Sequence, residues 1–298
     1  MCDNQKNFGK KTEVIQFNDT DVLLDIRYDH IFKAVFTKDT PASKGALSGL
    51  ISAFIGRNVI VQTITANEPP AVNAFDRRIR FDIACKAETG ELINIEMSFN
   101  PEPDELYRVE YYIGRHYSGQ DIHGTDKEYT DLVETYQITI IGKIKFFNDD
   151  VLVHTFLYYD PEHTVSLGGK TRIITVELPK TAGIVDKPIT ELGLYEKWSI
   201  FFEYLTNNDK RGKINEILAR EERIAMAGET LIHISQNEIE QVRLTDELKN
   251  ILDHQSSMAR ARREGLAEGR REIAGKLKAA GVSGDVIFQA TGLKPEEL

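Results

Sequence analysis

Cysteine is nearly absent: Cys2 and Cys85 are the only two in 298 residues. A pair so far apart supplies neither a disulfide framework nor a thiolate metal site, and Cys85 reads as a small core residue. No apolar run approaches the roughly 20 residues that span a bilayer, and the polar start MCDNQKNFGKK lacks the apolar stretch of a signal peptide. A cytoplasmic protein with no membrane contact is expected. Positive charge is also scarce, with 37 Lys and Arg against 47 Asp and Glu and a net charge of −10. That balance argues against broad electrostatic attraction to nucleic acid, whose phosphates select a basic surface. The veto is weak, because a protein that holds a metal ion against phosphate must itself carry acids. The basic residues are also unevenly placed: Arg77, Arg78 and Arg80 crowd just before Asp82, and a second cluster runs from Arg260 to Lys278.

What is present is a hydrophobic fraction of 41%, normal for a chain that buries a core. The organising stretch is FDIACKAETGELINIEMS, Phe81 to Ser98. Two alternating runs flank Glu88-Thr89-Gly90, a composition that predicts an antiparallel hairpin. Symmetric pairing about Thr89 sets Asp82 opposite Glu96, both carboxylates on one face, with Asn94 and Ser98 beside Glu96 and Ile93, Ile95 and Met97 on the other. Like charges directly opposite cost stability. A divalent cation between them offsets that cost, and hard oxygen ligands suit Mg2+ or Mn2+. The alternative from spacing alone is a carboxylate that is solvated, paired to Arg78 or Arg80, or offset by another register.

Along the chain, residues 1–20 are polar and aperiodic and read as a mobile arm. Ile26, Ile31, Phe32, Val35 and Phe36 predict a first amphipathic helix carrying Asp29 and Lys33, four residues apart, a spacing that also suits a plain ion pair. Thr37 to Ser43, with Pro41, breaks it. Leu47 to Ile55 predicts a second helix stopped by Gly56, and Val59 to Thr65 a strand ended by Pro69-Pro70. Pro101 and Pro103 open a long helix from Asp104 to about Gln120, with Arg108, Tyr112 and Arg115 on one side. Such residues line nucleic-acid grooves, and they equally pack on sheets. Gln137–Phe147, Val151–Tyr158 and Arg172–Leu178 read as further strands, with an irregularity near Gly142. The pattern predicts an α/β fold with a mixed sheet and helices on both faces.

From Glu191 onward strands disappear. Leu192, Tyr195, Trp198, Phe201, Phe202 and Leu205 predict an aromatic helix for packing. Residues 213–254 are helical by propensity, ending near Leu252, and the segment MARARREGLAEGRREIAGKLKAAG predicts a solvated helix weakened by its glycines. Two short helices joined by Gly281-Val282-Ser283 suit either a helix-turn-helix or a packing hairpin. The expected organisation is an arm over 1–20, an α/β domain over 21–210, a charged helical extension over 211–270 and a small helical tail over 271–298.

YDHIFKAVF at 28–36, the 81–98 hairpin, YRVEYY at 107–112 and the tail AGVSGDVIFQATGLKPEEL together resemble the PD-(D/E)XK nuclease family transposases, close to the recombination-promoting nucleases. The resemblance implies a restriction-endonuclease-like core, a mixed four-stranded sheet flanked by helices, with metal carboxylates on two adjacent strands and an all-α C-terminal region. It implies Asp82 as the metal aspartate, Glu96 as the acid of the (D/E)-x-K element, Asp29 as an acid on the first helix that helps hold the metal directly or through water, and the Met97 carbonyl as another ligand for Mg2+ or Mn2+. Arg108 and Tyr112 match the family's Arg-x-x-x-Tyr helix, and Arg78, Arg80 and Arg115 join them as candidate DNA contacts.

One departure stands out. The position that holds Lys in the superfamily, and commonly Gln in this family, is Ser98, which offers a hydrogen bond but no charge. Lys33 is the candidate substitute cation, giving a catalytic set of Asp82, Glu96, Lys33 and Ser98. The implied activity is Mg2+-dependent hydrolysis of DNA, associated with recombination or mobile elements, in a homodimer formed through the C-terminal helices. The alternative is a degenerate nuclease scaffold that binds DNA or protein.

Overall fold

The computed structural model describes residues 15–65, 80–122 and 126–293. The first helix, α1 (Asp29–Phe36), buries Ile31, Phe32, Val35 and Phe36 on one stripe. Helix α2 (Pro41–Ile55) begins earlier than the sequence indicated. Pro41 stands at its first position, where a missing N–H costs nothing, so it starts this helix instead of lying in the break. The Thr40 hydroxyl caps it by accepting from Ser43 N at 3.1 Å. Gly56 ends it in the left-handed conformation, as anticipated.

Among the described residues eight strands follow: β1 (Val61–Ile64), β2 (Ile83–Ala87), β3 (Leu92–Ser98), β4 (Thr135–Ile141), β5 (Val153–Phe156), β6 (Tyr159–Asp160), β7 (Val165–Ser166) and β8 (Thr171–Glu177). Six form one sheet in the order β1-β2-β3-β4-β8-β5, two strands more than the four-stranded core that the resemblance implied, while β6 and β7 make a separate hairpin in the loop before β8. The central pairs β3–β4 and β4–β8 are parallel and the outer pairs antiparallel, so the sheet is mixed as expected. The β2–β3 register pairs Ile83 with Ile95 and Cys85 with Ile93, symmetric about Thr89. Gly90, with φ of 101°, makes that turn at a conformation a side chain resists.

Helix α3 (Glu105–Ser118) crosses β4 and β8. It lies on the face carrying Asn94, Glu96, Gln137 and Thr139, since Gln120, just past its end, donates to Thr135 Oγ1 at 3.1 Å and Thr135 shares that face with Gln137. The aromatic segment forms α4 (Leu194–Tyr204), and Trp198, Phe201 and Phe202 are fully buried with Phe32 and Phe36. Their ring centroids lie about 6 Å apart, the spacing of packed aromatic pairs. This cluster anchors α1, and with it Asp29 and Lys33, beside the sheet.

Helices α5 (Arg211–Arg220) and α6 (Glu222–Gln236) complete a first unit that extends to Gln241, α6 packing on α2. Phe17, expected in the mobile arm, is buried. Its backbone N and O pair with the Asn215 side chain at 2.8 and 2.9 Å, because α5 offers an amide at the point where the chain passes. The second unit covers 242–298. Helix α7 (Glu238–Ala279) runs through Leu252 without the expected stop, since the charged residues beyond it keep helix propensity and Gly265, Gly269 and Gly275 are each tolerated. It therefore replaces the first of the two short helices predicted at the tail. After a turn closed by Gly281 N on Lys278 O and Val282 N on Leu277 O, α8 (Gly284–Thr291) follows with Ser283 at its N-cap position.

Candidate metal centre

The site forms where β2 peels away from β3. One residue before β2, the backbone ladder gives way to two bonds between side chain and backbone. Asp82 N donates to Glu96 Oε1 at 3.0 Å, and Met97 N donates to Asp82 Oδ2 at 2.9 Å. Each acid is thus held by the other's strand. Glu96 is 3% exposed, and Asn94 Nδ2 donates to the same Oε1 at 3.0 Å.

Helix α1 delivers the third acid and a cation. Lys33 Nζ lies 2.8 Å from Asp29 Oδ1 and 3.1 Å from Asp82 Oδ1. Burial disfavours the ammonium, but the Asp82 and Asp29 carboxylates outweigh it and Lys33 is held above its ordinary pKa. Burial drives Asp82 well above the usual carboxylate range, with the charges of Glu96 and then Asp29 adding to it against Lys33. Burial also pushes Glu96 up to about 7, against its hydrogen bonds from Asn94 and Asp82 and the charges of Arg108 and Lys33. Two hard carboxylates that resist ionising together are the donor set a divalent ion stabilises, so the residues fit one.

Most of the sequence-predicted residues converge here. Ser98 is buried at 7%, on the Glu96 face two residues along β3, and its carbonyl accepts from Gly142 N at 2.9 Å. Met97 turns its backbone edge toward Asp82. Arg108 places its guanidinium near enough to Glu96 for their charges to act on each other, while donating to Glu105 at 2.7 Å and lying 5.4 Å above the Tyr112 ring. Tyr112 packs edge-on against the buried Phe81, with 5.6 Å between centroids. Arg80 is exposed at the entry to Phe81, and Arg115 is half-buried on α3. Arg78 lies outside the described residues.

Two features escaped the sequence reading. Asn94 and Gln137 form a buried amide pair beside Glu96. The signal was a pair of amides inside strands whose neighbours are aliphatic. The second is a distant group at the far edge of the sheet, Asp149, His154 and Glu177, whose ligand atoms all lie within 4.8 Å of one another. No other such trio occurs among the described residues, so Asp29, Asp82 and Glu96 are drawn together less tightly, with the ammonium of Lys33 between the first two. The distant trio already contains a cation of its own. Lys180, 1% exposed, pairs with the fully buried Glu177 and lies 2.5 Å from Asp149, while Glu177 Oε1 accepts from Phe146 N and Phe147 N. The three-residue spacing of Glu177 and Lys180 was the one local signal, since the other partners come from the 146–151 loop and β5.

No helix of the described residues is long and apolar enough to cross a membrane. Comparison with curated proteins and with solved structures returned no match. A family model does match, over residues 26–261, a span that takes in α1, the carboxylate hairpin, α3 and the whole sheet. The chain belongs to the PD-(D/E)XK nuclease family transposases.

Proposed function

We propose that this protein is a Mg2+- or Mn2+-dependent DNA endonuclease that hydrolyses phosphodiester bonds, in a recombination or mobile-element setting. The observation that carries this reading is the reciprocal clamp of the buried Glu96 and the partly buried Asp82, carboxylates tied to each other's strands and flanked by Lys33. Asp82, Glu96 and the Met97 carbonyl would hold the ion, with Asp29 assisting through Lys33 or water. When bound, a divalent ion acidifies water and offsets charge on the scissile phosphate.

The chain's own groups divide the remaining work. Lys33 stays protonated at neutral pH because its pKa is raised, so it donates to a phosphate oxygen and does not act as a base. It thereby takes the role the superfamily gives to a Lys two residues after Glu96, where Ser98 contributes only a hydrogen bond. Arg80, Arg108 and Arg115 meet backbone phosphate, and Tyr112 presents an aromatic edge beside them. Water attacks directly, and no covalent intermediate forms. We assign the C-terminal helices to DNA contact or dimerisation, and the protein to the cytoplasm.

The second reading is a degenerate scaffold that binds DNA or protein. It is favoured by Ser98, which carries no charge where the superfamily has Lys, and by the net charge of −10. Nicking of supercoiled DNA separates the two. Wild type should nick only with Mg2+ or Mn2+, and Asp82→Asn and Glu96→Gln should each abolish nicking while remaining folded. DNA binding without ion-dependent cutting would favour the scaffold.

A further inference from the structure

Strands β3 and β4 lie side by side in the middle of the sheet, where parallel strands are normally aliphatic on both faces. On the face of Glu96 they are not. Asn94 pairs with Gln137 across the ladder and Glu96 with Thr139, so four polar side chains occupy the corners of one rectangle. Asn94, Gln137 and Thr139 are fully buried.

The hydrogen bonds run in one direction. Glu96 as a carboxylate only accepts, so Asn94 must turn its amide nitrogen toward it, and Nδ2 donates to Oε1 at 3.0 Å. The second Asn94 proton then needs an acceptor and finds Gln137 Oε1 at 2.8 Å. Gln137 is left with its nitrogen facing Thr139 Oγ1 at 3.2 Å. The next strand does not continue the amide row, since Ile173 stands opposite Gln137. The array begins at Glu96 and ends at Thr139.

We propose that Asn94 and Gln137 are positioning residues for Glu96. The relay, with Asp82 N, commits Oε1 to the protein and reserves Oε2 for a divalent ion. Aliphatic residues at these corners would fill the same space without polar groups to desolvate, but would leave Oε1 held by Asp82 N alone. Outer groups that orient a ligating carboxylate govern metal affinity. This rests on the nuclease reading of the same site.

The test is titration of the purified full chain with Mn2+ alone, followed by ion-dependent nicking. Gln137→Met keeps the length and loses the relay, and should weaken Mn2+ binding about 10- to 100-fold. It should lower kcat for nicking without raising KM for DNA. Asn94→Leu should do the same, and the double variant should be no worse than Asn94→Leu, because both act through one oxygen. Thr175→Val, buried on the same face but off the relay, should bind Mn2+ as wild type does. A folded Gln137→Met with wild-type Mn2+ affinity overturns the positioning role and leaves the nuclease reading standing. Wild type that takes up no Mn2+ overturns both. If Gln137→Met does not fold, Thr139→Val is read in its place, with a smaller loss of affinity supporting the relay and an unchanged affinity overturning it.

Discussion

Lys33 Nζ stands 3.1 Å from Asp82 Oδ1, joining the first helix to the carboxylate hairpin by a single ammonium. The contact makes Lys33 both the neutraliser of two aspartates and a positive charge beside the proposed metal centre. Lys33→Met should cut the nicking rate by about 100-fold, the scale set by loss of one charged or hydrogen-bonding stabiliser. Mn2+ should bind at least as tightly as in wild type, because a competitor for Asp82 has gone. Nicking at the wild-type rate would remove Lys33 from the mechanism.

The acidity of Glu96 carries a pH signature. Its pKa is raised from an ordinary 4.5 to about 7, so between those values the folded chain holds a proton that the unfolded chain has released. Stability from this group is complete below about pH 4.5 and is lost as pH rises through 7. Without added metal, thermal unfolding of wild type should shift downward over that window relative to Glu96→Gln. Mn2+ affinity should rise over the same range, since ion binding requires the deprotonated acid. A Mn2+ affinity independent of pH between 5 and 8 would contradict the assignment.

The Glu177–Lys180 pair should behave as structure. Both side chains are buried, so Lys180→Met strands a carboxylate in the interior. Breaking a buried pair from one side costs about 3–5 kcal/mol. A markedly lower Tm is expected, with Mn2+ affinity near wild type for protein still folded. The opposite pattern, a native Tm with Mn2+ bound more tightly once the competing ammonium is gone, would move the metal centre to Asp149, His154 and Glu177.

Phe17 tests the anchoring of the N-terminal segment. Its ring is 2% exposed, and truncation of a buried Phe costs about 3–5 kcal/mol. Phe17→Ala should lower Tm by several degrees. Protease cleavage in the first 20 residues should become faster, and an unchanged Tm would return the segment to a free arm.

The hairpin was legible because its information is local. A Gly turn and two alternating runs leave one symmetric register, and that register sets Asp82 against Glu96. Helix α1 was legible for the same reason, through the spacing of Ile31, Phe32, Val35 and Phe36. The reach of Lys33 to Asp82 was not, because it depends on how the aromatic cluster around Trp198 seats α1 beside the sheet. Asn94–Gln137 is likewise a product of tertiary placement. Glu177 and Lys180 stand only three residues apart, but their burial depends on the 146–151 loop that closes over them. Pro41 misled because proline ends a helix in its interior but starts one at its first turn. Leu252 misled because a charged stretch shows no periodicity when it has little to bury.

The most direct test of the account is a crystal soaked in Mn2+ and measured at the manganese absorption edge. One strong anomalous peak is expected, bounded by the carboxylates of Asp82 and Glu96 and absent from Glu96→Gln. A peak beside Asp149 and Glu177, or a peak that survives Glu96→Gln in place, would contradict it.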